Sequence, residues 1–331
     1  MRATIYADTD ADVGRLADRI VAVLGYGNQG AAQAQNLRDS GVSRVVVGNR
    51  DDEYRPRAVA AGFDTLSIAE AATRGDVVLL LVPDEAQPEL FRAEIAPGLR
   101  AGDTLVVASG YNVAFGLLDV PDGVDVVMVA PRMIGDAVRS RYLSGEGCPC
   151  FVSAERDATG HALDDALAVA KGIGATRAGA VASSVREEAA LDLFSEQAVW
   201  PLLLAAFRVG YEVLSEAGFS DDAILSEMYL SYEPAEIFTR VAEMGLFGQL
   251  PLHSQTSQYG QLRGLAGLDT TELRSRFARV LHDDILSGAF AREWSGVRAE
   301  GTGRLDELRA RALVHPMAEA ERGVRASRLS P

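Results

Sequence analysis

The chain has 331 residues, 48% hydrophobic and 24% charged, which is enough for two domains with separate cores and ordinary for a soluble globular protein. Its net charge of −15, from 32 basic against 47 acidic residues, argues against non-specific binding to nucleic acid or to an anionic membrane. Only Cys148 and Cys150 could form a disulfide, residues 1–8 lack a signal-peptide layout, and no uninterrupted apolar stretch reaches membrane-spanning length, so a cytoplasmic protein with no membrane partner is expected.

The first predicted strand, 20–24, runs directly into Gly25-Tyr26-Gly27-Asn28-Gln29-Gly30, and a helix is predicted over 31–39. The first glycine allows a tight turn, the second lets the backbone approach a pyrophosphate, and the third lets helix and strand pack closely. The helix N-terminus then offers free N–H groups and partial positive charge to the phosphates. A second strand at 44–48 completes the spacing of one βαβ unit, so a dinucleotide site is expected across 25–30.

The next loop carries Arg50, Asp51, Asp52, Glu53, Arg55 and Arg57. The three carboxylates would repel a 2′-phosphate, and one of them could accept the ribose hydroxyls. Arg55 and Arg57 pull the other way, and the balance favours NADH over NADPH.

Further strands are predicted at 77–82, 104–108, 126–130 and 150–153, with helices at 55–61 and 88–95. Such alternation implies a parallel, doubly wound sheet covered on both faces. Ligand groups should gather at the carboxyl ends of the strands, in Pro83-Asp84-Glu85, Ser109-Gly110-Tyr111-Asn112 and Pro131-Arg132-Met133. After about residue 182 the pattern becomes helical. A long helical region at 184–216 has Leu191, Phe194, Ala198, Leu202 and Ala205 at three- and four-residue spacing. Helices at 221–232, 234–244, 271–287 and 302–314 follow, then a surface helix with a frayed tail over 318–331.

These residues resemble the ketol-acid reductoisomerase (acetohydroxyacid isomeroreductase) family in its short form, over nearly the whole chain. The likeness is carried by the glycine loop, Leu81-Val82-Pro83-Asp84-Glu85-Ala86-Gln87, Ala130-Pro131-Arg132 with Val138-Arg139-Ser140, and Ala170-Lys171-Gly172-Ile173-Gly174. It continues through Glu187-Glu188, Asp192-Leu193-Phe194-Ser195-Glu196-Gln197-Ala198-Val199 and Gly288-Ala289-Phe290-Ala291-Arg292-Glu293-Trp294.

The resemblance implies an α/β N-terminal Rossmann domain over 1–182 and an all-α, knotted C-terminal domain over 183–331. It also implies homodimers whose subunits complete each other's active sites. NADH or NADPH would be held by Gly25, Tyr26, Gly27, Asn28, Gln29, Gly30, Arg50, Asp51, Asp52, Glu53, Val82, Pro83, Asp84, Gln87, Ser109 and Gly135. The family shifts an alkyl group within a 2-hydroxy-2-acyl acid and then reduces the resulting 2-keto acid, using Mg2+ to polarise adjacent oxygens. By position, Asp192 and Glu196 match the first two metal ligands, and their i, i+4 spacing puts both on one helical face. Glu227 matches the third ligand, and Ser254 the serine that meets substrate.

The departures gather at the chemistry. Ser231 stands where the fourth carboxylate belongs, with Glu233 a substitute only if the loop has shifted. Ser109 and Ala114 replace histidines, and Arg132 replaces a lysine. Met133-Ile134-Gly135-Asp136 replaces a glycine-rich continuation, Gln255 and Gln258 replace acids, and Trp200, Pro201, Leu202 and Leu203 replace small residues. A changed substrate accounts for this distribution. The expectation is an NAD(P)H-dependent reductase of a small polar C=O or C=N substrate in a specialised pathway, without alkyl migration, using Asp192, Glu196, Arg132, Glu227 and Ser254. The alternatives are the ordinary isomeroreductase, converting 2-acetolactate to 2,3-dihydroxyisovalerate in branched-chain amino-acid biosynthesis, and a non-catalytic binding paralogue.

Overall fold

The structure is a computed structural model that describes residues 2–329; the chain divides into two compact units, Met1–Asp192 and Leu193–Pro331. In the first unit, nine strands form one sheet. They are β1 (Ile5–Tyr6), β2 (Val21–Leu24), β3 (Val45–Gly48), β4 (Asp64–Leu66), β5 (Val77–Leu80), β6 (Thr104–Val107), β7 (Asp125–Pro131), β8 (Cys150–Arg156) and β9 (Ala180–Ala182). Their order across the sheet is β1-β9-β8-β7-β6-β5-β2-β3-β4. The helices of this unit are α1 (Asn28–Asp39), α2 (Tyr54–Ala60), α3 (Ile68–Arg74), α4 (Gln87–Leu90), α5 (Tyr111–Ala114), α6 (Gly135–Ser144) and α7 (Ala162–Gly172), and α8 (Val185–Phe194) begins in it.

The central strands are continuous apolar runs because both of their faces are covered. Val21, Val23 and Leu79 turn to a core shared with Leu37 of α1 and Val169 of α7. Their neighbours Ala22, Leu24, Val78 and Leu80 turn to the opposite core, with Ile68 and Ala71 of α3. β2 pairs in parallel with β3 on one side and β5 on the other, so the winding reverses between β2 and β5. The crevice outside their carboxyl ends is where such sheets bind ligands.

All six predicted strands are present. The expected parallel pairing holds for β2 through β7, but β8 runs antiparallel to β7, and β1 antiparallel to β9. Strands β1, β4 and β9 have only two or three residues each, too short to carry a periodic signal.

The second unit holds α9 (Trp200–Glu216), α10 (Asp221–Leu225), α11 (Glu233–Met244), α12 (Gln255–Ala266), α13 (Thr271–Arg279), α14 (Ala289–Ala299), α15 (Gly303–Leu313) and α16 (Pro316–Leu329). Wider π-helical turns interrupt the helical runs at Ser195–Val199, Ser226–Leu230 and Val280–Leu286. The predicted helix over 221–232 therefore stops at Leu230, and Ser231 is extended. Pro234 falls in the first turn of α11, where its missing N–H costs nothing. Of the expected frayed tail, residues 330–331 lie outside the described residues.

A small core joins Tyr211, Ile224, Leu225 and Val324. Many apolar side chains of this unit stay in solvent, including Leu204 at 66% exposure and Val213 at 58%. No uninterrupted apolar stretch of membrane-spanning length was expected, and the longest apolar helical run carries charged residues within it. Residues Val185–Glu216 form one helical run of 32 residues, long and apolar enough by length and composition. Charged residues such as Glu188, Asp192 and Glu196 break up the apolar run in the sequence, and only the continuous helix adds the pieces together.

Candidate active site

The glycine loop joins β2 to α1, and its three glycines have different duties. Gly25 has φ +96°, and a Cβ there would lie 2.9 Å from the Leu81 carbonyl oxygen. At Gly30 a Cβ would lie 1.8 Å from the Gly25 carbonyl oxygen. Both positions exclude any side chain because backbone approaches backbone. Gly27 differs: it is the N-cap of α1, no side chain caps the helix, and a Cβ there would meet nothing within 4 Å. The space before the helix N-terminus is therefore open to a group that takes the N–H donors, which fits a pyrophosphate.

The loop is braced from behind. The Tyr26 N–H donates to Asn49 Oδ1 at 2.9 Å, and Gln29 Nε2 donates to the Met133 carbonyl at 2.7 Å. Gly135 opens α6 against the loop, with its would-be Cβ 2.1 Å from the Asn28 carbonyl oxygen. The exposed side of Asn28 remains toward solvent.

In the loop after β3, Asp52 Oδ1 accepts from Asn49 Nδ2 and the Tyr54 N–H, both at 2.9 Å, while Oδ2 accepts from Arg50 Nε at 2.7 Å. The Arg50 hydrogen bond leads these causes in holding the Asp52 carboxyl below its usual range. Glu53 pairs with Arg57 at 2.8 Å, and Arg55 donates to the Asn49 carbonyl at 2.9 Å. Asp51 is exposed. Much of the charge counted in the sequence is thus spent within the loop itself.

Past β5, Gln87 Nε2 donates to the Val82 carbonyl and to Asp84 Oδ1, at 2.9 and 3.0 Å. Asn112 Nδ2 reaches across from α5 to Gln87 Oε1 and the Asp84 carbonyl, at 2.8 and 2.9 Å. Pro83 stays exposed at the rim. Ser109, after β6, donates its hydroxyl to Asp84 Oδ2 at 2.9 Å. Burial pushes the Asp84 carboxyl upward, against the opposing Ser109 hydrogen bond, and the charges of Glu85 and Asp192 push the same way as burial.

The next residue, Gly110, donates its N–H to Glu188 Oε2 of α8 at 2.7 Å. The other oxygen of Glu188 receives Arg132 Nη1 at 2.6 Å, and Arg132 Nη2 reaches Asp192 Oδ1 at 2.6 Å. The guanidinium lies over the Phe151 ring, 5.0 Å from its centroid. Burial is the main influence raising the Glu188 carboxyl, opposed by the Gly110 N–H and Arg132. The ends of β5, β6 and β7 and the face of α8 are thereby joined by one polar chain, Asp84–Ser109 and Gly110–Glu188–Arg132–Asp192.

Glu188 and Asn49 were not among the expected site residues, and Asn112 was expected only as part of the ligand-facing loop after β6. A signal for Glu188 was available: it precedes Asp192 by four residues, as Asp192 precedes Glu196, so the three acids mark one stripe. Asn49 and Asn112 act through backbone partners and through the side chains of Asp52 and Gln87, pairings that sequence spacing does not reveal.

In the second unit, Glu196 is exposed in the π-helical turn Ser195–Val199, and Glu227 is exposed in the turn Ser226–Leu230. Ser254 is the N-cap of α12, and its side chain accepts the Ser257 N–H at 3.2 Å. Among the described residues, no three His, Cys, Asp or Glu side chains form a group that could hold a metal ion. Asp192 Oδ1 is taken by Arg132, and the guanidinium lying between Asp192 and Glu188 makes a donor set that does not fit a divalent metal. A wide cleft of about 750 Å³ lies at the opposite, amino-terminal end of the strands, near Asp76 and Asp103. Its Arg15 and Arg19 are paired with Asp165, and its Arg100 with Asp76 and Asp103, so each of these arginines already faces a carboxylate.

Residues 15–179 match the family model described as acetohydroxy acid isomeroreductase, NADPH-binding domain, and residues 185–329 match ketol-acid reductoisomerase, C-terminal domain. The chain is 41% identical over 317 residues to "Putative ketol-acid reductoisomerase 3" of Saccharolobus solfataricus, covering 95% of each. It is 34% identical to a solved NADH-preferring ketol-acid reductoisomerase from an uncultured archaeon, covering 98% of each chain with a TM-score of 0.88. A semialdehyde dehydrogenase NAD-binding protein from Cupriavidus necator shares the fold, at 20% identity and a TM-score of 0.59, over 80% of this chain and 96% of that one.

Proposed function

The chain belongs to the ketol-acid reductoisomerase family of NAD(P)H-dependent oxidoreductases, and from that premise we propose that it is a divergent member. It reduces a small polar C=O or C=N substrate, a keto acid or an imine, without alkyl migration. The observation that carries this reading is the polar chain at the carboxyl ends of β5, β6 and β7. It presents a hydroxyl, a carboxyl with raised affinity for its proton, and a fixed guanidinium beside the open cofactor cradle.

A bound reduced nicotinamide supplies the hydride. The Ser109 hydroxyl proton is directed at Asp84 Oδ2; once Asp84 carries a proton it can donate to Ser109 Oγ instead, and the Ser109 hydroxyl is then free to donate where negative charge develops on the substrate heteroatom. Burial favours the protonated form of Asp84, which supports its refilling Ser109. Arg132, held by Glu188 and Asp192, offers a positive charge that does not titrate. Migration asks for more, namely two metals against adjacent oxygens.

The ordinary isomeroreductase is the second reading, favoured by the match along both family models. The assay follows NAD(P)H consumption with 2-acetolactate beside small 2-keto acids and cyclic imines, with and without magnesium. Turnover of a keto acid or imine, with acetolactate inert, is expected. Brisk magnesium-dependent conversion of acetolactate to the dihydroxy acid would establish the second reading instead.

NADH is the cofactor this chain prefers. The exposed Asp51 and the pairing of Arg50 with Asp52 leave little free positive charge for a 2′-phosphate. The apolar side chains that the second unit leaves exposed, Leu204 and Val213 among them, are covered by a second copy of the chain. Light scattering at micromolar concentration is expected to give the mass of a dimer, and a persistent monomer would contradict it.

A further inference from the structure

Arg132 is engaged on three sides. Its two terminal nitrogens each lie 2.6 Å from a carboxylate oxygen, one on Glu188 and one on Asp192, and its plane rests over Phe151. Glu188 is nearly sealed, its side chain 3% exposed, and its second oxygen holds the Gly110 N–H. The guanidinium cannot retreat without leaving a buried carboxylate unpaired. Asp192 is 44% exposed, so it is the member of the pair that an incoming cation could reach. Such a cation would have to displace a nitrogen from Asp192 Oδ1 or take Oδ2 alone, and in either case sit beside a permanent positive charge.

We propose that the Arg132 guanidinium is the resident cation of this carboxylate pair, and that the protein binds no divalent metal at Asp192. Residue type matters here. A lysine ammonium is a compact point charge on a flexible stem and can pair with one carboxylate while leaving the other to a metal. The planar fork of arginine spans both at once. The guanidinium can hydrogen-bond one carbonyl oxygen and help orient a substrate carboxylate, but it has no empty orbital and cannot chelate two neighbouring oxygens. The inference deepens the reductase reading by making the polarising charge organic and metal-independent. Its test needs no substrate, so a failed substrate screen and a failed metal test are separate results.

The experiment titrates the full-length protein with Mn2+ alone and reads the bound fraction by electron paramagnetic resonance. The same titration is run on Arg132→Lys, Asp192→Asn and the double variant, each first checked for a native thermal transition. The wild type is expected to leave millimolar Mn2+ free. Arg132→Lys should bind Mn2+ about ten- to a hundredfold more tightly than wild type, and adding Asp192→Asn should remove that gain. Stoichiometric Mn2+ binding by the wild type that is lost in Asp192→Asn would overturn the proposal. Equal absence of binding in wild type and in folded Arg132→Lys would also overturn it, since Arg132 would not then be what keeps the metal out. If Arg132→Lys does not fold, the comparison of wild type with Asp192→Asn still decides.

Discussion

Replacing Gly27 with valine is expected to abolish nicotinamide binding while the first unit stays folded. The two halves of that result come from separate observations. A Cβ at Gly27 meets nothing within 4 Å, and its backbone, at φ −71° and ψ −160°, is extended and open to any residue. The folding cost is then only that of a poor N-cap, about 1 kcal/mol. The added isopropyl group would, however, fill the space in front of the α1 N–H groups, where a pyrophosphate must approach. Affinity for NADH should fall by about a hundredfold or more, equivalent to about 3 kcal/mol. Gly30→Ala supplies the contrast. Its Cβ would lie 1.8 Å from the Gly25 carbonyl oxygen, so that variant should lose the fold along with the cofactor. The measurement is fluorescence titration of NADH and NADPH, paired with thermal melting. Unchanged affinity in a folded Gly27→Val protein would remove the assignment of the cofactor to this loop.

The second large effect is expected at Glu188, which joins two strand-end loops to α8. Replacing it with alanine leaves the Gly110 N–H and the Arg132 guanidinium without their shared acceptor in a largely closed place. Losing one member of a buried, hydrogen-bonded pair costs about 3 kcal/mol after allowance for the partial exposure of Arg132. For a unit of this size the melting temperature should fall by about 6–12 °C. Glu188→Gln keeps one acceptor oxygen but turns an amide toward the second donor, so it should show roughly half that loss. Urea unfolding followed by circular dichroism checks the series. A loss below about 1 kcal/mol for the alanine variant would mean that Glu188 does not brace the site.

The nucleotide-binding half was legible because its signals are local. An apolar run buried on both faces, a glycine turn with fixed steric demands and a helix start lie within eleven residues, from Ile20 to Gly30, and each restricts the next. The candidate site at the strand ends was legible in part. Asp84, Ser109 and Arg132 were singled out in the loops at strand ends and Asp192 as a carboxylate on one helical face, and all four lie along the polar chain. Their partners were not readable, because Arg132 and Glu188 are 56 positions apart and meet only when β7 and α8 come together. The carboxylates of the loop after β3 were read as free to repel a 2′-phosphate or to accept the ribose hydroxyls. Folding instead gives Asp52 to Asn49, Arg50 and the Tyr54 N–H, since a short loop satisfies its own backbone donors first.

By itself, the sequence determined the parallel strands β2, β3, β5, β6 and β7, the position of the dinucleotide loop and the change to a mainly helical pattern after about residue 182, and its motifs carried the resemblance to the family. The strands, the loop and the helical pattern follow from periodicity and from steric requirements confined to neighbouring residues. Only the tertiary structure decided that β8 turns antiparallel, that Gly135 is a glycine because the Asn28 carbonyl presses against it, and that Arg132 bridges two carboxylates. Each of these depends on which distant segments share a wall. Burial then sets how much a charge or a missing side chain matters, and burial is a property of the assembled fold.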